Sequence, residues 1–378
     1  MLQFADPVKL KTKRIVFEDI YIARDPGTLE QLKELSSTRR VIEESINDVS
    51  LITEAVAREM SGGLSSQCEQ DIQKLEKYLP LLENLVHQSK NINSNQLVQW
   101  TSNLNIRWTS ALTSSSLFGC KSQKFFRLDN LMYELTMMRF LYGALLRELA
   151  NEVLSEDLVQ SAALFRKAAG VYDSLAIEFL PHYQHVLPAE RPPEATLNVC
   201  SVMSLICLAE AQAVTIRKAE AKGIAGSLLS KLHYGIVQML DEASSILHSA
   251  NKDKKDISTG FLEFVSACKT VHELRSYKYL AENLETNSQI GYALGVLQHV
   301  QITTQKMKLP SKESWRSALK QEIDSVTILI GKYEYENSFV WNYKIPPKHE
   351  LPCPEGKKIV NVIPYQPQRR ELPISFKL

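Results

Sequence analysis

The sequence has little glycine, no paired-cysteine motif and almost no excess of charge of either sign. Glycine accounts for only 14 of 378 residues, and none of the patterns GxGxxG, GxxxxGK[ST], GxSxG or HExxH occurs. Phosphate-binding loops, the hydrolase nucleophile elbow and the metalloprotease helix therefore have no support in the sequence. We predict that the protein is not an enzyme and has no cofactor.

The charge balance argues against a partner recognised by long-range electrostatics. Lys and Arg total 44 against 43 Asp and Glu, which gives a net charge of +1. Proteins that bind nucleic acid normally carry a basic excess, so we expect no nucleic acid partner. Any partner must be recognised by a local surface.

The cysteines and the apolar segments indicate a cytoplasmic protein. Six cysteines are spread through the chain at positions 68, 120, 200, 207, 268 and 353 and form no CxxC pair. Such thiols are typical of a reducing compartment, and Cys200 and Cys207 are predicted to be buried as small apolar side chains. The N-terminus lacks an apolar signal segment, and the longest apolar run, 199–208, is too short to cross a bilayer.

Histidines supply the best candidates for a metal site. His182 and His185 are three residues apart, and His272 precedes Glu273 elsewhere in the chain. Three-residue spacing places two imidazoles on one side of a turn, but paired surface histidines show the same spacing. An enzyme that uses His182, His185 and His272 is therefore our third functional hypothesis.

Apolar residues recur with helical periodicity from Thr28 onward, and this pattern predicts an all-α fold of nine or ten helices. Glycine pairs, Ser-rich patches and prolines separate the segments. Several segments pair as hairpins, as in a stack that resembles tetratricopeptide repeats. The predicted helices span 28–60, 64–90, 94–113, 124–152, 156–180, 194–221, 224–250, 256–284, 287–306 and 311–335.

Both ends of the chain depart from the helical pattern. The segment 14–22 is β-branched and aromatic and precedes an Asp-Pro-Gly turn signal, so we predict a short strand or hairpin there. Seven prolines between Pro346 and Pro373 preclude a helix in that part of the tail. The tail after Asn337 is expected to run extended over the helical body, tethered by its aromatic side chains.

One apolar stripe stands out between residues 224 and 240. Isoleucine or leucine occupies every fourth position, at Ile224, Leu228, Leu232, Ile236 and Leu240. On a helix this spacing draws a nearly straight line of side chains, which must be covered by the core or by a partner helix. Periodicity alone favours the core, and a docking surface for another helix is the alternative.

Several segments, in order, resemble the BRO (Bro-one) domain family, most closely its Brox-like branch and more distantly its Alix-like members. The motif AEAQAVTIRKA at 209–219, followed by LLSKL at 228–232, resembles the family's signature helices. The resemblance covers nearly the whole chain, so we expect a single BRO domain over residues 1–378. The other matching segments are PVKLKTKR near the start, LMYELTMMRFLYGALLRELA at 131–150, LFRKAAGVYDSL at 164–175, YLAENLETNSQIGYALGVLQ at 279–298, ENSFVWNYKIP at 336–346 and PISFKL at 373–378.

This resemblance implies a fold and a function. The fold would be a curved, boomerang-shaped helical body with a tetratricopeptide-like core of helical hairpins, a small N-terminal β element and an extended Pro-rich C-terminal segment. The function would be that of a non-enzymatic endosomal adaptor in multivesicular body sorting and protein transport. Its partners would be ESCRT-III subunits of the charged multivesicular body protein type, bound by their C-terminal amphipathic helix.

The resemblance also implies site residues and a location. The positions that match the family's concave hydrophobic patch are Leu228 and Leu232, with Thr215 on the neighbouring helix. Ile224, Ile236 and Leu240 would then be core residues, and Leu232→Asp would abolish partner binding without changing circular dichroism or melting. The protein is expected to be a cytoplasmic monomer that associates with endosomes peripherally and only through its partners.

Two departures from the family pattern qualify these expectations. Alix-like members carry a large aromatic side chain at the position of Thr215, so the resemblance implies a shallower pocket here. The chain closes with Ser375-Phe376-Lys377-Leu378 and has no Cys four residues from the end, so we expect no prenyl anchor. The alternative function is a general helical scaffold that binds a cytoskeletal or membrane-surface partner by another face.

Overall fold

The computed structural model describes residues 2–47, 66–89, 100, 103–113, 124–128, 130–183, 190–253, 257–305 and 307–377. Within these residues the chain is mostly α-helical, as predicted, and contains nine helices longer than ten residues. They are α1 (Pro26–Asn47), α2 (Gln67–Ser89), α3 (Leu131–Glu152), α4 (Leu158–Asp173), α5 (Leu197–Ala221), α6 (Gly226–Asp253), α7 (Thr259–Thr286), α8 (Ile290–Gln305) and α9 (Glu313–Glu336). The predicted helical residues 48–60 and 94–99 lie outside the described residues.

Several helix ends are fixed by local side chains. Asn130 caps α3 by accepting a hydrogen bond from the Met132 N–H, and Ser258 caps α7 by accepting one from the Phe261 N–H. Such caps satisfy backbone donors that have no partner inside the helix. Helix α4 is continued by a π-helical turn, Ser174–Phe179. The predicted helices from residue 194 onward agree with α5 to α9 to within three residues at each end.

The β structure is small, as predicted, but most of it lies elsewhere in the chain. Strands β1 (Arg107–Thr109) and β2 (Phe125–Arg127) form an antiparallel pair, and Thr12 of the N-terminal segment forms a single bridge to Trp108. The helices predicted to include these two strands are therefore wrong at those residues. The strand predicted at 14–22 is also wrong, because these residues form bends and a turn in which Phe17 and Tyr21 are buried. Their apolar pattern reflects burial in the core instead of strand pairing.

The described residues divide into two compact units, each built from separate stretches of the chain. One comprises Met1–Phe4, Leu154–Arg166 and Leu205–Asn361. Phe4 stacks on Phe261 of α7, with 5.5 Å between the ring centroids. The core of this unit includes apolar side chains of α7, α8 and α9, among them Leu274, Leu294, Leu297, Leu319 and Tyr333.

The other unit comprises Ala5–Val153, Lys167–Ser204 and Val362–Leu378. A buried ion pair lies at its centre, where Arg39 Nε of α1 is 2.6 Å from Glu134 Oε1 of α3. The Trp108 indole N–H donates to Glu134 Oε2 at 2.7 Å. The pair therefore ties two helices and the sheet together within this unit.

Residues near the end of the chain pack against the α2 and N-terminal segments of this same unit. Asn84 Nδ2 of α2 donates to the Leu372 carbonyl at 2.8 Å. Phe376 forms a single bridge to Ala23, and its ring lies 5.5 Å from that of Tyr21. Both contacts hold a segment that has no helix or strand of its own.

Helix α5 is long and apolar enough to cross a bilayer by composition alone, but 72% of its most apolar window is buried within the protein. This degree of burial is that of a core helix. Cys200 and Cys207 lie on α5 and are buried, as predicted, and the five described cysteines form no disulfide with one another. The sixth, Cys120, lies outside the described residues.

Candidate partner-binding surface

Helices α5 and α6 are connected by a tight, left-handed helix cap. Gly223 has a φ of 66°, a conformation that glycine adopts without steric cost. The Ile224 N–H donates to the Ala219 carbonyl at 3.2 Å, and the Gly223 N–H donates to the Glu220 carbonyl at 2.9 Å. This is the hydrogen-bond pattern of a Schellman motif, which ends α5 and allows α6 to begin at Gly226.

The structure places Leu228 and Leu232 one turn apart on α6 but buries them to different degrees. Leu228 is half-buried, whereas Leu232 is only 3% exposed. Thr215 on α5 is half-buried, and its hydroxyl donates to the Ala211 carbonyl at 2.9 Å. Thr215 and Leu228 therefore retain surface that a partner could cover, and a role in binding stays a prediction for all three residues.

The burial of Leu232 corrects one expectation. A carboxylate introduced at this position would be taken out of water without a partner, which costs several kcal/mol in an apolar environment. Leu232→Asp is therefore expected to destabilise the fold instead of leaving it unchanged.

The apolar stripe becomes more buried along its length. Ile224 lies in the connection before α6 and is 39% exposed, whereas Ile236 and Leu240 are buried. The prediction that Ile236 and Leu240 are core residues is confirmed. The same prediction for Ile224 is wrong, because the cap at Gly223 places it outside the helix that continues the stripe.

A short segment of the C-terminal region lies across α5 and α6. We call residues 356–359 the strap. The Gln212 side chain of α5 is hydrogen-bonded to the strap and to α6. Its Nε2 donates to the Leu232 carbonyl at 2.7 Å and to the Lys357 carbonyl at 2.9 Å. Gln212 Oε1 accepts a hydrogen bond from the Ile359 N–H at 3.0 Å. One buried amide therefore joins both helices to the strap.

The strap approaches α6 closely because residue 235 is a glycine. A Cβ atom at Gly235 would lie 2.3 Å from the Lys357 carbonyl oxygen, far inside van der Waals contact. The Lys357 N–H donates to the Lys231 carbonyl at 2.9 Å and fixes the same approach. Neither Gln212 nor Gly235 is among the residues predicted from the sequence, although an isolated glycine within a helical pattern often has a packing or functional reason.

A buried histidine pair lies in the same unit and links α6 to α7. His233 Nδ1 and His272 Nδ1 are 2.9 Å apart, and both rings are buried. Burial lowers the pKa of His233 and lowers that of His272 well below its ordinary value. Both rings are therefore neutral at pH 7, and the contact is satisfied when His272 carries its proton on Nδ1 and His233 carries its proton on Nε2.

The end of α5 completes this cluster. Glu220 Oε1 lies 3.7 Å from His233 Nε2 and accepts a hydrogen bond from the Tyr279 hydroxyl at 2.8 Å. The contact with His233 and, to a smaller extent, the hydrogen bond from Tyr279 lower the pKa of the Glu220 carboxyl. The Tyr279 ring stacks on His233 with an interplanar angle of 9°. The arrangement is a polar contact between α5, α6 and α7 in which His233 Nε2 is buried and has no hydrogen-bond partner among the described residues.

The histidines considered as metal ligands do not form a ligand set. His182 is exposed, with Nδ1 2.5 Å from the Glu178 carbonyl, and His272 is paired with His233. His185 lies outside the described residues. Across the described ranges, no group of three or more His, Cys, Asp or Glu side chains is arranged to hold a metal ion.

Comparison with protein families identifies the class to which this fold belongs. The BRO1-like domain family matches residues 34–376, and the chain belongs to that family. ALG-2 interacting protein X of Dictyostelium discoideum is 23% identical over 244 residues, which are 63% of this chain and 30% of that protein. The human BRO1 domain-containing protein BROX is 23% identical over 279 residues, which are 69% of this chain and 66% of that protein. The matched regions thus span less than two thirds of these relatives.

Solved structures confirm the fold. A structure described as "ALIX BRO1 CHMP4C complex" superposes with a TM-score of 0.69 at 18% identity and covers 94% of each chain. Another, described as "Structure basis for endosomal targeting by the Bro1 domain", gives a TM-score of 0.60 at 16% identity and covers 93% of this chain and 90% of the other. The predicted BRO fold is therefore confirmed.

Proposed function

We propose that this protein is a non-enzymatic endosomal adaptor that binds the C-terminal amphipathic helix of ESCRT-III subunits of the charged multivesicular body protein type. The partner-binding residues in this proposal are Thr215, Leu228 and Leu232, of which Thr215 and Leu228 are half-buried and Leu232 is buried. The protein acts in multivesicular body sorting as a cytoplasmic monomer, recruited to endosomes by these partners. Residues 1–378 act as one BRO domain.

The observation that carries the proposal is membership of the BRO1-like domain family over residues 34–376. One of the solved structures similar to this chain is a complex of ALIX BRO1 with CHMP4C. Another concerns endosomal targeting by the Bro1 domain. These relationships support the class of partner and the location.

The geometry of α5 and α6 supports a shallow apolar contact. The Thr215 hydroxyl is already bonded to its own helix, so a partner can cover this residue without leaving a donor unsatisfied. Leu228 is half-buried and still has apolar surface to lose. Full burial of a leucine is worth about 1.5–3 kcal/mol, so completing the burial of Leu228 would contribute a fraction of that range. An amphipathic helix provides the matching i, i+3, i+4 face.

Replacement of Leu228 by Asp tests the proposed surface. A carboxylate at this half-buried position would oppose an apolar partner face, so Leu228→Asp is expected to weaken binding by about tenfold or more, which corresponds to about 1.4 kcal/mol. The measurement is fluorescence polarisation of a labelled ESCRT-III C-terminal peptide titrated with purified protein. Thermal melting of the variant should change little, because the side chain can reach water.

Ile224→Asp is the matched control. It makes the same chemical change four residues earlier on the stripe, at an exposed position outside α6. Its affinity for the peptide should stay within about twofold of the original protein. The site assignment fails if Leu228→Asp binds normally, or if Ile224→Asp loses as much affinity as Leu228→Asp.

A further inference from the structure

A group of exposed apolar side chains lies at the end of α9 and in the residues that follow it. Tyr335 and Phe339 lie with 4.6 Å between their ring centroids, and Trp341 and Tyr343 stack at 5.7 Å. Contiguous exposed surface of this kind usually marks a binding site. We call the group the aromatic turn, and its members are Tyr335, Phe339, Val340, Trp341, Tyr343 and Ile345.

The aromatic turn is held in one conformation by Asn337. The Asn342 N–H donates to the Asn337 carbonyl at 2.7 Å, and Asn342 adopts a left-handed conformation with a φ of 51°. The Asn337 side chain donates to the Tyr343 carbonyl and accepts from the Tyr343 N–H, both at 2.9 Å. These polar groups are satisfied within the turn, so moving it out of water costs less than it would for an open loop.

Only the base of the aromatic turn packs against the protein. At Gly291 of α8 a Cβ atom would lie 2.6 Å from the Lys344 carbonyl oxygen, and at Gly295 it would lie 3.4 Å from the Ile345 side chain. Phe339, by contrast, is 72% exposed, and Trp341 is 43% exposed. The returning chain is thus anchored on α8 while the aromatic side chains face water.

Residues 337–349, which form most of the aromatic turn and the chain after it, carry no acidic side chain. Lys344 and Lys348 are exposed there. Three glutamates flank this stretch and each has a polar neighbour: Glu336 Oε1 is 3.7 Å from Lys332 Nζ, Glu334 accepts a hydrogen bond from Gln298, and Glu350 Oε1 is 3.5 Å from His349 Nε2. Lys344 and Lys348 therefore offer basic contacts to an anionic partner next to the apolar side chains.

We propose that the aromatic turn is a direct lipid contact, which inserts into the interface of an anionic bilayer. Trp and Tyr favour the boundary between headgroups and hydrocarbon, where their rings are partly apolar and partly hydrated. Phe339 and Val340 would enter the acyl region, while Lys344 and Lys348 reach the lipid phosphates. This contact goes beyond recruitment by ESCRT-III partners, and it departs from the expectation that the protein meets membranes only through them.

The tryptophans provide a direct test in the full chain. Of the four, Trp100, Trp108 and Trp315 are buried, and Trp341 is exposed. Quenching by acrylamide and shifts of the emission maximum therefore report mainly on Trp341. Vesicles of phosphatidylcholine mixed with phosphatidylserine should shift the emission to the blue and protect it from acrylamide. Vesicles of phosphatidylcholine alone should do so weakly.

Substitutions separate the apolar contribution from the basic one. Phe339→Ser with Val340→Ser should weaken co-sedimentation with anionic vesicles by about tenfold or more, because two inserted side chains are lost. Lys344→Glu with Lys348→Glu should cause a loss of roughly tenfold on anionic vesicles and little change on neutral ones. Ile328→Ser is the matched control, since Ile328 is as exposed as Phe339 but lies on α9 outside the turn. It should bind vesicles normally.

Three results would overturn the lipid contact. The first is an absence of binding to anionic vesicles, which would indicate that the aromatic turn contacts a protein partner and not a lipid. Another is a blue shift that follows protein concentration without vesicles, which would indicate a second copy of the chain as the occupant. The third is an equal loss of binding in Ile328→Ser. No ESCRT-III peptide is present in these measurements, so their outcome is independent of the surface around Leu228.

Discussion

Gly235 determines how closely the strap approaches α6. Its missing side chain leaves room for the Lys357 carbonyl oxygen, and this carbonyl also accepts a hydrogen bond from Gln212. In most helices a glycine lowers stability relative to alanine by roughly 0.5–1 kcal/mol. At position 235 we expect the stabilisation gained from the close contact between the strap and α6 to exceed this cost.

We expect Gly235→Ala to lower the free energy of unfolding by about 1–2 kcal/mol. The new methyl group would overlap the Lys357 carbonyl, which accepts a hydrogen bond from Gln212 in a residue whose N–H donates to the Lys231 carbonyl. Overpacking of this kind typically costs about 1–3 kcal/mol, more than the gain in helix propensity. Urea denaturation followed by circular dichroism measures the difference.

Gly331→Ala is the control for helix propensity. Gly331 lies within α9, and a Cβ atom there would meet nothing within 4 Å. This variant should gain about 0.5–1 kcal/mol, because only the entropy of the unfolded chain changes. If the two alanine variants gain stability equally, the strap is not fixed against α6.

The stripe shows what spacing can and cannot predict for single residues. Ile236 and Leu240 were predicted to be buried, and they are. Leu232 has the same spacing and is also buried, as periodicity alone favours, although the resemblance places it in the partner-binding patch. The resemblance assigns Leu228 and Leu232 to one patch and carries no information on burial, so it could not separate the half-buried Leu228 from the buried Leu232.

At the scale of elements, helices were predicted more reliably than strands. Helices α5 to α9 carry long apolar periods, and their positions were predicted to within three residues. Strands β1 and β2 have three residues each and lie beside long helical patterns, so the predicted helices wrongly include them. Three residues are too few to show the alternation that identifies a strand.

The contact between α6 and α7 predicts a dependence of stability on pH. His233 and His272 have pKa values that are lower in the folded protein than in the unfolded chain, where they are near 6.5. The unfolded chain therefore binds more protons, and the free energy of unfolding should fall as the pH drops below about 6.5. Each histidine contributes a slope of up to about 1.4 kcal/mol per pH unit.

The measurement is urea denaturation at several pH values between 8 and 5. Groups that face the pair are Glu220, Arg275 and Tyr279. The carboxyl of Glu220, whose folded pKa is lowered, loses its stabilising effect only below its unfolded value near 4.5, outside this window. His272→Gln should reduce the slope, whereas His248→Gln, at an exposed position on α6, should preserve it. If the free energy of unfolding depends on pH with the same slope in both variants, the pair of His233 and His272 is not the cause of that dependence.

At the scale of the whole molecule, the number of folding units stays a prediction. The sequence predicts a single BRO domain over residues 1–378, and the described residues form two compact units. Each unit is assembled from three separate stretches, so the chain passes repeatedly from one to the other. Each unit thus needs stretches of chain that are separated in sequence by residues of the other unit. Because neither unit is one continuous segment, we expect the two units to unfold together.

Variants in the two units test this cooperativity. Glu134→Ala leaves the Arg39 guanidinium buried without its carboxylate, which is expected to cost about 3–5 kcal/mol, whereas Glu44→Ala breaks an exposed pair on α1 worth about 0.5 kcal/mol or less. If the chain is one domain, Glu134→Ala in one unit and Gly235→Ala in the other should each move the same single calorimetric transition to lower temperature. Two transitions, each moved by only one of these variants, would show instead that the chain folds as two domains.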